Sequence, residues 1–281
     1  MPEGDTIHRA ARTLHRALAG KPVVRFETGL AQLSRVDDDA PIAGRTVERV
    51  RSVGKHLLLE FSGDLVLRTH MRMNGSWHVY RPGERWQRPR AAMRVVVETA
   101  DFQAVAFDVP VAEFRTGRAL ARDPAVARLG PDVLDPGFDE AEAVRRLRER
   151  ASMGIGEALL DQRALAGIGN VFKSEVCFAE RVHPFTPVST LQDEALLRLV
   201  RTARRFLAMN VLESSGGRMV TYTGLRRTTG RGDPSARLWV YGRGGEPCRE
   251  CGERIVLQKR GLDARSTYFC PACQVLGSPG L

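Results

Sequence analysis

The second and third residues of the chain are of types that can do chemistry together. Pro2 follows the initiator Met1, and proline is small enough for that methionine to be removed, which would leave a secondary amine at the new terminus. An α-amino group has a pKa of about 7.7–8.0, so roughly a tenth or more is neutral at pH 7 and able to attack a sugar carbon as a Schiff-base nucleophile. Glu3 beside it is suited to moving protons. Many proteins begin with Met-Pro to no effect, so this pair needs support from the rest of the chain.

Four of the five cysteines form two C-x-x-C pairs, and their spacing predicts a metal site. Cys248 and Cys251 are separated from Cys270 and Cys273 by residues 252–269, about the spacing of a four-thiolate zinc ribbon. Four protein ligands leave no position for water, so we expect one structural Zn²⁺. The ion would supply folding energy to a segment too small to fold alone. A redox pair or a chance arrangement is the alternative.

The charge of the chain favours a polyanionic partner. Its net charge is +10 and its pI is about 10.0, and a field of that sign attracts nucleic acids, although a basic soluble protein is the plainer interpretation. Basic residues crowd the cysteine segment: Arg237, Arg243, Arg249, Arg254, Lys259, Arg260 and Arg265. Arg265 falls in a predicted hairpin turn at 262–266, where it would either pair with a phosphate or remain a solvated cation.

The hydrophobic patterns predict the elements that must position these residues. Apolar residues at helical spacing predict a leading helix over 6–18, and short β-rich runs predict a sandwich with strands at 47–53, 56–61, 65–70, 77–80, 95–98 and 104–108. Helical periodicity returns at 140–149, 156–165, 170–179 and 191–212. We therefore predict an α+β multidomain protein with a β-sandwich domain at 2–120, a linker at 121–137, a helical domain at 138–236 that includes a mobile loop at 214–233, and a zinc-finger hairpin at 237–281.

Four motifs occur in one order along the chain: residues 1–7, 53–56, 161–170 and 265–274. Together they resemble the formamidopyrimidine-DNA glycosylase/endonuclease VIII family, from residue 2 to about residue 275. The start and the finger sequence look closer to the endonuclease VIII branch, in its actinobacterial form. The resemblance implies that 161–170 belongs to a helix-two-turn-helix motif and that DNA lies in a cleft between the domains.

The resemblance also implies roles for individual residues. Pro2 would attack C1′ of the damaged nucleotide, expel the base and form an iminium, while Glu3 would protonate the opening sugar ring. Because an iminium acidifies the C2′ hydrogens, strand cleavage by β- and then δ-elimination follows without a metal at the reacting atoms. Lys55 would contact a phosphate beside the lesion and assist proton transfer, although a solvated turn lysine is the plainer interpretation of that residue alone. Lys55 and Arg265 are thus expected at the catalytic site with Pro2 and Glu3.

Further residues are implied to bind the DNA. Asn170 begins a helix after a glycine turn, where backbone N–H groups and its side chain would bind phosphate, and Lys173 would supply a further cation. A nucleotide that leaves the stack leaves a hole, which a loop at 70–75 would fill. Met73 is its apolar wedge and Arg72 its neighbour, although a methionine in a β-protein more often packs in the core.

The chain departs from the endonuclease VIII pattern in two places. Asp5-Thr6 stands where that branch often has Pro-Glu, which puts a base-pocket carboxylate in doubt, and the Met73 loop looks more like the formamidopyrimidine branch. We expect a bifunctional DNA glycosylase and abasic-site lyase of base excision repair that prefers oxidised pyrimidines. An oxidised-purine glycosylase of the same family and a non-catalytic zinc-ribbon nucleic-acid-binding protein are the alternatives.

The expected partner is double-stranded DNA with damaged bases or abasic sites, bound by a monomer. The sequence has neither an apolar run of about 20 residues nor a signal peptide, and its cysteine usage is typical of a reducing compartment. We therefore expect no membrane association and a cytoplasmic protein that associates with the nucleoid.

Overall fold

The computed structural model describes residues 2–212, 228–229, 236–260 and 265–276 of the chain. The chain divides into two compact units, and the described part of the first ends at Arg128 while the second begins at Leu129. The cysteine segment belongs to the second unit, together with the helices. The sequence predicted four segments, at 2–120, 121–137, 138–236 and 237–281, whereas the contacts group the chain into two units. The bounds of the four segments stay a prediction. Most of the predicted loop at 214–233 lies outside the described residues, as do positions 262–264 of the predicted hairpin turn.

The first unit contains a leading helix, two four-stranded antiparallel sheets and three short helices. Its elements are α1 (Gly4–Leu18), β1 (Arg25–Thr28), α2 (Ala31–Asp39), β2 (Val47–Val53), β3 (His56–Phe61), β4 (Leu65–His70), β5 (Ser76–Tyr80), β6 (Met93–Glu98), β7 (Gln103–Phe107), β8 (Val111–Thr116), α3 (Gly117–Arg122) and α4 (Pro124–Ala127). The strand orders are β1-β6-β7-β5 in one sheet and β2-β3-β4-β8 in the other. The predicted sandwich, its leading helix and its six strands are confirmed.

Two strands were not predicted, and both lie at a sheet edge. β1 and β8 pair on one side only, so they have fewer fully buried positions and lack the apolar run of a central strand. The first residues of the predicted linker, 121–127, are largely helical, since they include the end of α3 and all of α4. The side chains of Thr116 and Asp123 cap these two short helices and so stabilise them.

The core of the first unit lies between the two sheets and the leading helix. The apolar face of α1, which includes Ile7 and Leu14, packs with Phe61, Trp77 and Val97, which come from both sheets. This burial fixes the position of α1, because the hydrophobic free energy depends on that face staying against the sheets.

The second unit combines four helices with a two-stranded hairpin. Its elements are α5 (Glu140–Arg148), α6 (Ile155–Leu160), α7 (Asn170–Ala179), α8 (Asp193–Leu212), β9 (Val256–Arg260) and β10 (Arg265–Phe269). The helix pair α6–α7 is joined by residues 161–169, in which Gly167 has φ of 103° and therefore needs a glycine. The predicted helices and the hairpin are confirmed, although α6 ends five residues earlier than its pattern predicted. No helix in the described ranges is both long and apolar enough to cross a bilayer.

Candidate active site

Glu3 is fully buried at the start of α1. It is the N-cap residue, with φ of −122° and ψ of −175°, and its backbone carbonyl accepts a hydrogen bond from Ile7 N at 3.0 Å. Its carboxylate does not cap the helix, and Pro2 beside it is half-buried. Asp5 is fully buried as well, and its Oδ1 accepts a hydrogen bond from Thr6 Oγ1 at 3.3 Å. A carboxylate is therefore held out of bulk water next to the predicted nucleophile.

The direction of α1 is set by two hydrogen bonds to β2. His15 Nδ1 accepts a hydrogen bond from Val50 N at 3.2 Å. About two helical turns earlier, His8 Nδ1 lies 3.2 Å from Ser52 Oγ. Helix positions therefore fall as strand positions rise, so the two elements run antiparallel. The first residues of α1 point toward the end of β2, where the chain turns at Gly54 (φ 56°) into Lys55.

Histidine 70 lies at the same end of the sandwich as Lys55, and the sequence analysis did not assign it a role. His70 and His56 are register partners on β4 and β3, with ring centroids 4.9 Å apart. Burial, together with the nearby charges of Arg72 and Lys55, lowers the pKa of His70 to about 4. Its Nδ1 accepts a hydrogen bond from Arg72 N at 3.1 Å, so the ring is neutral at pH 7 and its proton resides on Nε2. The signal available in the sequence was a histidine at the end of a predicted strand and at the first position of the predicted loop.

The loop after β4 exposes the predicted wedge. Met73 is 62% exposed, so the alternative that it packs in the core is excluded, whereas Met71 is buried. Arg72 adopts φ of 50°, and a Cβ on Gly75 would lie 2.5 Å from Met71 O. The loop is thus a tight turn that requires Gly75 and presents Met73 outward.

In the second unit, the first residues of α7 contact the hairpin. Asn170 is the first residue of the helix, with Gly169 as N-cap, and its Nδ2 donates to Ser266 O at 2.7 Å. Lys173 is 2% exposed, and its Nζ donates to Thr267 Oγ1 at 2.7 Å and Ser266 O at 3.1 Å. Burial argues against the predicted role of Lys173 as a surface cation for phosphate, because its ammonium holds the hairpin on α7. Arg265 is exposed at the start of β10.

Glu175 is a second residue that the sequence analysis missed. Its carboxylate is fully buried and accepts backbone N–H bonds from Trp239 at 2.7 Å and from Val240 and Tyr241 at 2.9 Å each, together with the Thr228 hydroxyl. Burial raises the pKa of Glu175, and these donors oppose the rise. The carboxylate of Glu175 therefore holds residues 239–241, which precede the cysteine segment, against α7. The position of Glu175 in a helical pattern gave no indication of this role in the sequence.

The four predicted zinc ligands lie together. Their Sγ atoms are all within 4.8 Å of one another, with Cys251–Cys270 and Cys251–Cys273 at 3.5 Å and Cys248–Cys273 at 3.9 Å. A tetrahedral ion with Zn–S bonds of about 2.3 Å would place sulfurs about 3.8 Å apart, so this donor set fits zinc. Cys177 is buried in α7, away from the cluster, and burial raises the pKa of its thiol to about 12.

Comparison with family models assigns the chain to a family. Residues 1–110 match the formamidopyrimidine-DNA glycosylase N-terminal domain, residues 129–221 its H2TH domain, and residues 245–275 a zinc finger found in FPG and IleRS. The chain belongs to the formamidopyrimidine-DNA glycosylase/endonuclease VIII family. The resemblance inferred from the four motifs is confirmed, as is the class of enzyme, a DNA glycosylase and abasic-site lyase.

Individual relatives match along their whole length. The chain is 44% identical to a probable endonuclease 8 2 of Streptomyces coelicolor, over 99% of this chain and 96% of that protein. It is 38% identical to the DNA-(apurinic or apyrimidinic site) lyase Nei2 of Mycolicibacterium smegmatis, over 98% and 99%. Among solved structures, Lactococcus lactis Fpg in complex with N7-benzyl-Fapy-dG DNA has a TM-score of 0.81 at 24% identity, over 98% and 100%, which confirms the fold.

Proposed function

We propose that this protein removes oxidised bases from DNA through a Schiff base on Pro2 and then cleaves the strand by β,δ-elimination. The observation that carries the proposal is the fully buried Glu3 beside Pro2, on a helix whose start points toward the turn that holds Lys55. A helix end of this kind holds a nucleophile and a proton donor at a fixed separation, which is what acid-assisted ring opening requires.

The reaction follows from the two groups. The neutral amine of Pro2 bonds to C1′ while the bond to the damaged base breaks, and the proton lost by the amine goes to the departing base. Glu3 gives a proton to the ring oxygen as the sugar opens to an iminium. Loss of a C2′ proton then expels the 3′ phosphate, and a second elimination expels the 5′ phosphate. The buried carboxyl group of Glu3 is shielded from bulk water, so it exchanges these protons with the sugar and not with solvent.

The DNA contacts belong to both units. Lys55 and Arg72 would bind phosphate on the first unit, and Met73 would fill the vacated position in the stack. On the second unit, the backbone amides at Asn170 and the guanidinium of Arg265 would bind phosphate. Cys248, Cys251, Cys270 and Cys273 would hold one structural Zn²⁺ that stabilises the finger.

Oxidised pyrimidines are the substrates that we favour. The endonuclease VIII branch, which the start and the finger resemble, implies thymine glycol, 5-hydroxycytosine and dihydrouracil, and such bases stack poorly, so that eversion costs less. The exposed Met73 loop resembles the other branch and supports an oxidised-purine glycosylase as the second candidate. We further propose that a monomer acts on double-stranded DNA in the cytoplasm, associated with the nucleoid.

Borohydride trapping on a panel of lesion duplexes tests this proposal. The reductant should convert the iminium into a covalent protein–DNA adduct that mass spectrometry locates on Pro2. A terminal extension ahead of Pro2 should abolish the adduct, and Glu3→Gln should bind DNA yet lose excision. The matched control is Glu194→Gln, an exposed acid on α8.

Three outcomes would overturn parts of the proposal. An adduct on a lysine would remove Pro2 from its role, and equal loss of binding and excision in Glu3→Gln would make Glu3 structural. If 8-oxoguanine opposite cytosine is excised at least as fast as thymine glycol or dihydrouracil in single turnovers, the purine candidate replaces the pyrimidine one.

A further inference from the structure

The second unit contains a cavity of about 450 Å³ between α6, the start of α7 and the hairpin. This volume falls within the range of small-ligand sites in proteins. Every residue that lines the cavity lies in the second unit and in the described part of the chain. The mechanism proposed for Pro2 and Glu3, in the first unit, does not use it.

The lining of the cavity includes apolar side chains and an aromatic ring. Met153, Pro184 and Phe185 are among the lining residues, and Phe185 is half-buried. Its centroid lies 5.5 Å from that of His183 and 5.8 Å from that of Phe269 in the hairpin. The ring is therefore fixed before any ligand arrives, and a fixed aromatic surface beside a thioether is suited to a flat heteroaromatic ring.

Two glycines bring the wall of the cavity close to Lys173. A Cβ on Gly156 would lie 3.0 Å from Pro184 O and 3.5 Å from Lys173 Cδ, and a Cβ on Gly154 would lie 3.2 Å from Phe185 Cα. Larger residues at these two positions would push the 184–185 segment away. The width of the cavity thus depends on both glycines.

The lining also includes polar side chains of both signs of charge. The cations are Lys173, which is buried, and Arg265, which is exposed at the edge of the hairpin. Glu157 is an exposed carboxylate that also lines the cavity. Asp161 lines it too, but its Oδ2 accepts from Arg150 Nε at 2.9 Å and its Oδ1 from Arg163 N at 2.9 Å. Glu157 is therefore the acidic group better placed to meet a ligand.

We infer that this cavity is a second nucleobase-binding site, which accepts the base of a nucleotide whose phosphate lies at Arg265. The inference rests on the proposed function, in which Arg265 binds the DNA backbone. A base is joined to its phosphate through one sugar, so a phosphate at the edge of the cavity brings a base within reach of its interior. Base stacking on the Phe185 ring tolerates any sequence, as in other single-strand sites.

Glu157 gives the site a preference among bases. A carboxylate accepts hydrogen bonds and donates none, so it favours a base edge that presents N–H donors. Guanine offers two adjacent donors, N1–H and N2–H, on its Watson–Crick edge, whereas thymine offers only N3–H between two carbonyls. The site should therefore select guanine over thymine at one position near the lesion, and this nucleotide must be unpaired to enter.

Fluorescence of 2-aminopurine tests the inference on the full-length protein. Duplexes carry a tetrahydrofuran abasic-site analogue at a fixed position and 2-aminopurine at one of the flanking positions in turn. One position should brighten on binding, and Met153→Trp, which fills the cavity, should abolish that rise. Glu194→Gln should preserve it, and zinc content checks that each variant folds. A rise that persists in Met153→Trp, or no rise at any position, overturns the inference.

The base preference provides a second, independent measurement. Guanine at the responding position should bind the wild-type protein about fivefold or more tightly than thymine, and Glu157→Gln should make the two equal. Equal affinities in the wild-type protein would remove the assigned role of Glu157. Borohydride trapping of the wild-type protein on an abasic duplex keeps the two proposals separate. Trapping without a fluorescence response refutes the second site alone, and failure to trap refutes the Pro2 mechanism.

Discussion

Lys173 and Arg265 are cations on neighbouring elements that differ in burial and therefore in role. Lys173 is buried and donates to Ser266 O and Thr267 Oγ1, whereas Arg265 is exposed one residue away from these partners. An ammonium that is taken out of water must keep its hydrogen bonds, so Lys173 fixes the hairpin on α7. The exposed guanidinium of Arg265 is in contact with solvent, where a phosphate can approach it and release a counterion.

The two cations should therefore differ in the salt dependence of DNA binding. Arg265→Ala should make the negative slope of log affinity against log salt shallower by up to about 1, because one phosphate contact is lost. Lys173→Met should weaken binding with the slope unchanged and should raise hydrogen exchange in 265–269, since the hairpin loses its support. A shallower slope in Lys173→Met with normal hydrogen exchange would instead make Lys173 a phosphate ligand.

Buried histidines give the first unit a defined pH dependence. Burial lowers the pKa of His56 to about 3 and those of His70 and His78 to about 4, from an ordinary value of 6.5. Between these values the unfolded chain binds protons that the folded unit does not. These histidines therefore make their full contribution to the free energy of unfolding above pH 6.5. The free energy of unfolding falls as the pH drops toward 4, by up to about 1.4 kcal/mol per pH unit for each histidine.

Urea unfolding at several pH values measures this effect. A Trp239→Phe background leaves Trp77 and Trp86, both in the first unit, as the fluorescent reporters. In that background, His78→Gln should flatten the dependence between pH 6.5 and 4 by about the share of one histidine. A free energy of unfolding that does not change over this range would show that these rings are protonated in the folded unit.

At the scale of elements, the loop after β4 separates two methionines that the sequence cannot tell apart. Met71 is buried in the sandwich core, and Met73 is 62% exposed on a turn that Arg72 and Gly75 shape. An apolar side chain held outward in water carries a hydration cost that insertion into a base stack would remove.

Met73→Ala should therefore slow excision of a paired lesion by tenfold or more without lowering the free energy of unfolding. Release of an abasic site, whose base is already absent, should change less, because little stacking is lost there. The control is Met209→Ala, another partly exposed methionine, located on α8. Unchanged excision by Met73→Ala would transfer the wedge role to Arg72 or Asn74.

At the scale of the whole molecule, metal binding should matter to one unit only. The cysteine cluster, α7 and the hairpin share the second unit, where Phe178 stacks on Trp239 with centroids 5.5 Å apart. The first unit has its own core between two sheets. Since each unit buries its own apolar residues, loss of the ion is not expected to open the sandwich.

Chelation or Cys270→Ala should remove the zinc and raise hydrogen exchange across 256–260 and 265–269, while 56–61 and 65–70 stay protected. Three thiolates bind the ion far less tightly than four, which is why one substitution suffices. Cys177→Ala is the matched control, because Cys177 lies outside the cluster and should leave the zinc bound. Equal loss of protection in both units would mean that the metal supports the whole chain.

Local patterns in the sequence determined much of this protein. The spacing of two C-x-x-C pairs determined the metal cluster, because neighbouring thiolates in a tight turn already point at one centre. Hydrophobic periodicity determined the sandwich strands and the helices of the second unit, since period 2 and period 3.6 bury different faces. The Pro2-Glu3 start and the other motifs determined the family.

Only the tertiary structure decided which polar residues are buried and what they hold. Lys173 and Thr267 are 94 positions apart, and Glu175 receives N–H bonds from residues 64–66 positions away. Burial depends on which distant segment packs against a side chain, and no local pattern records that partner. The same reason separates exposed Met73 from buried Met71 and places His70 beside Lys55, because sheet register and turn geometry set those positions.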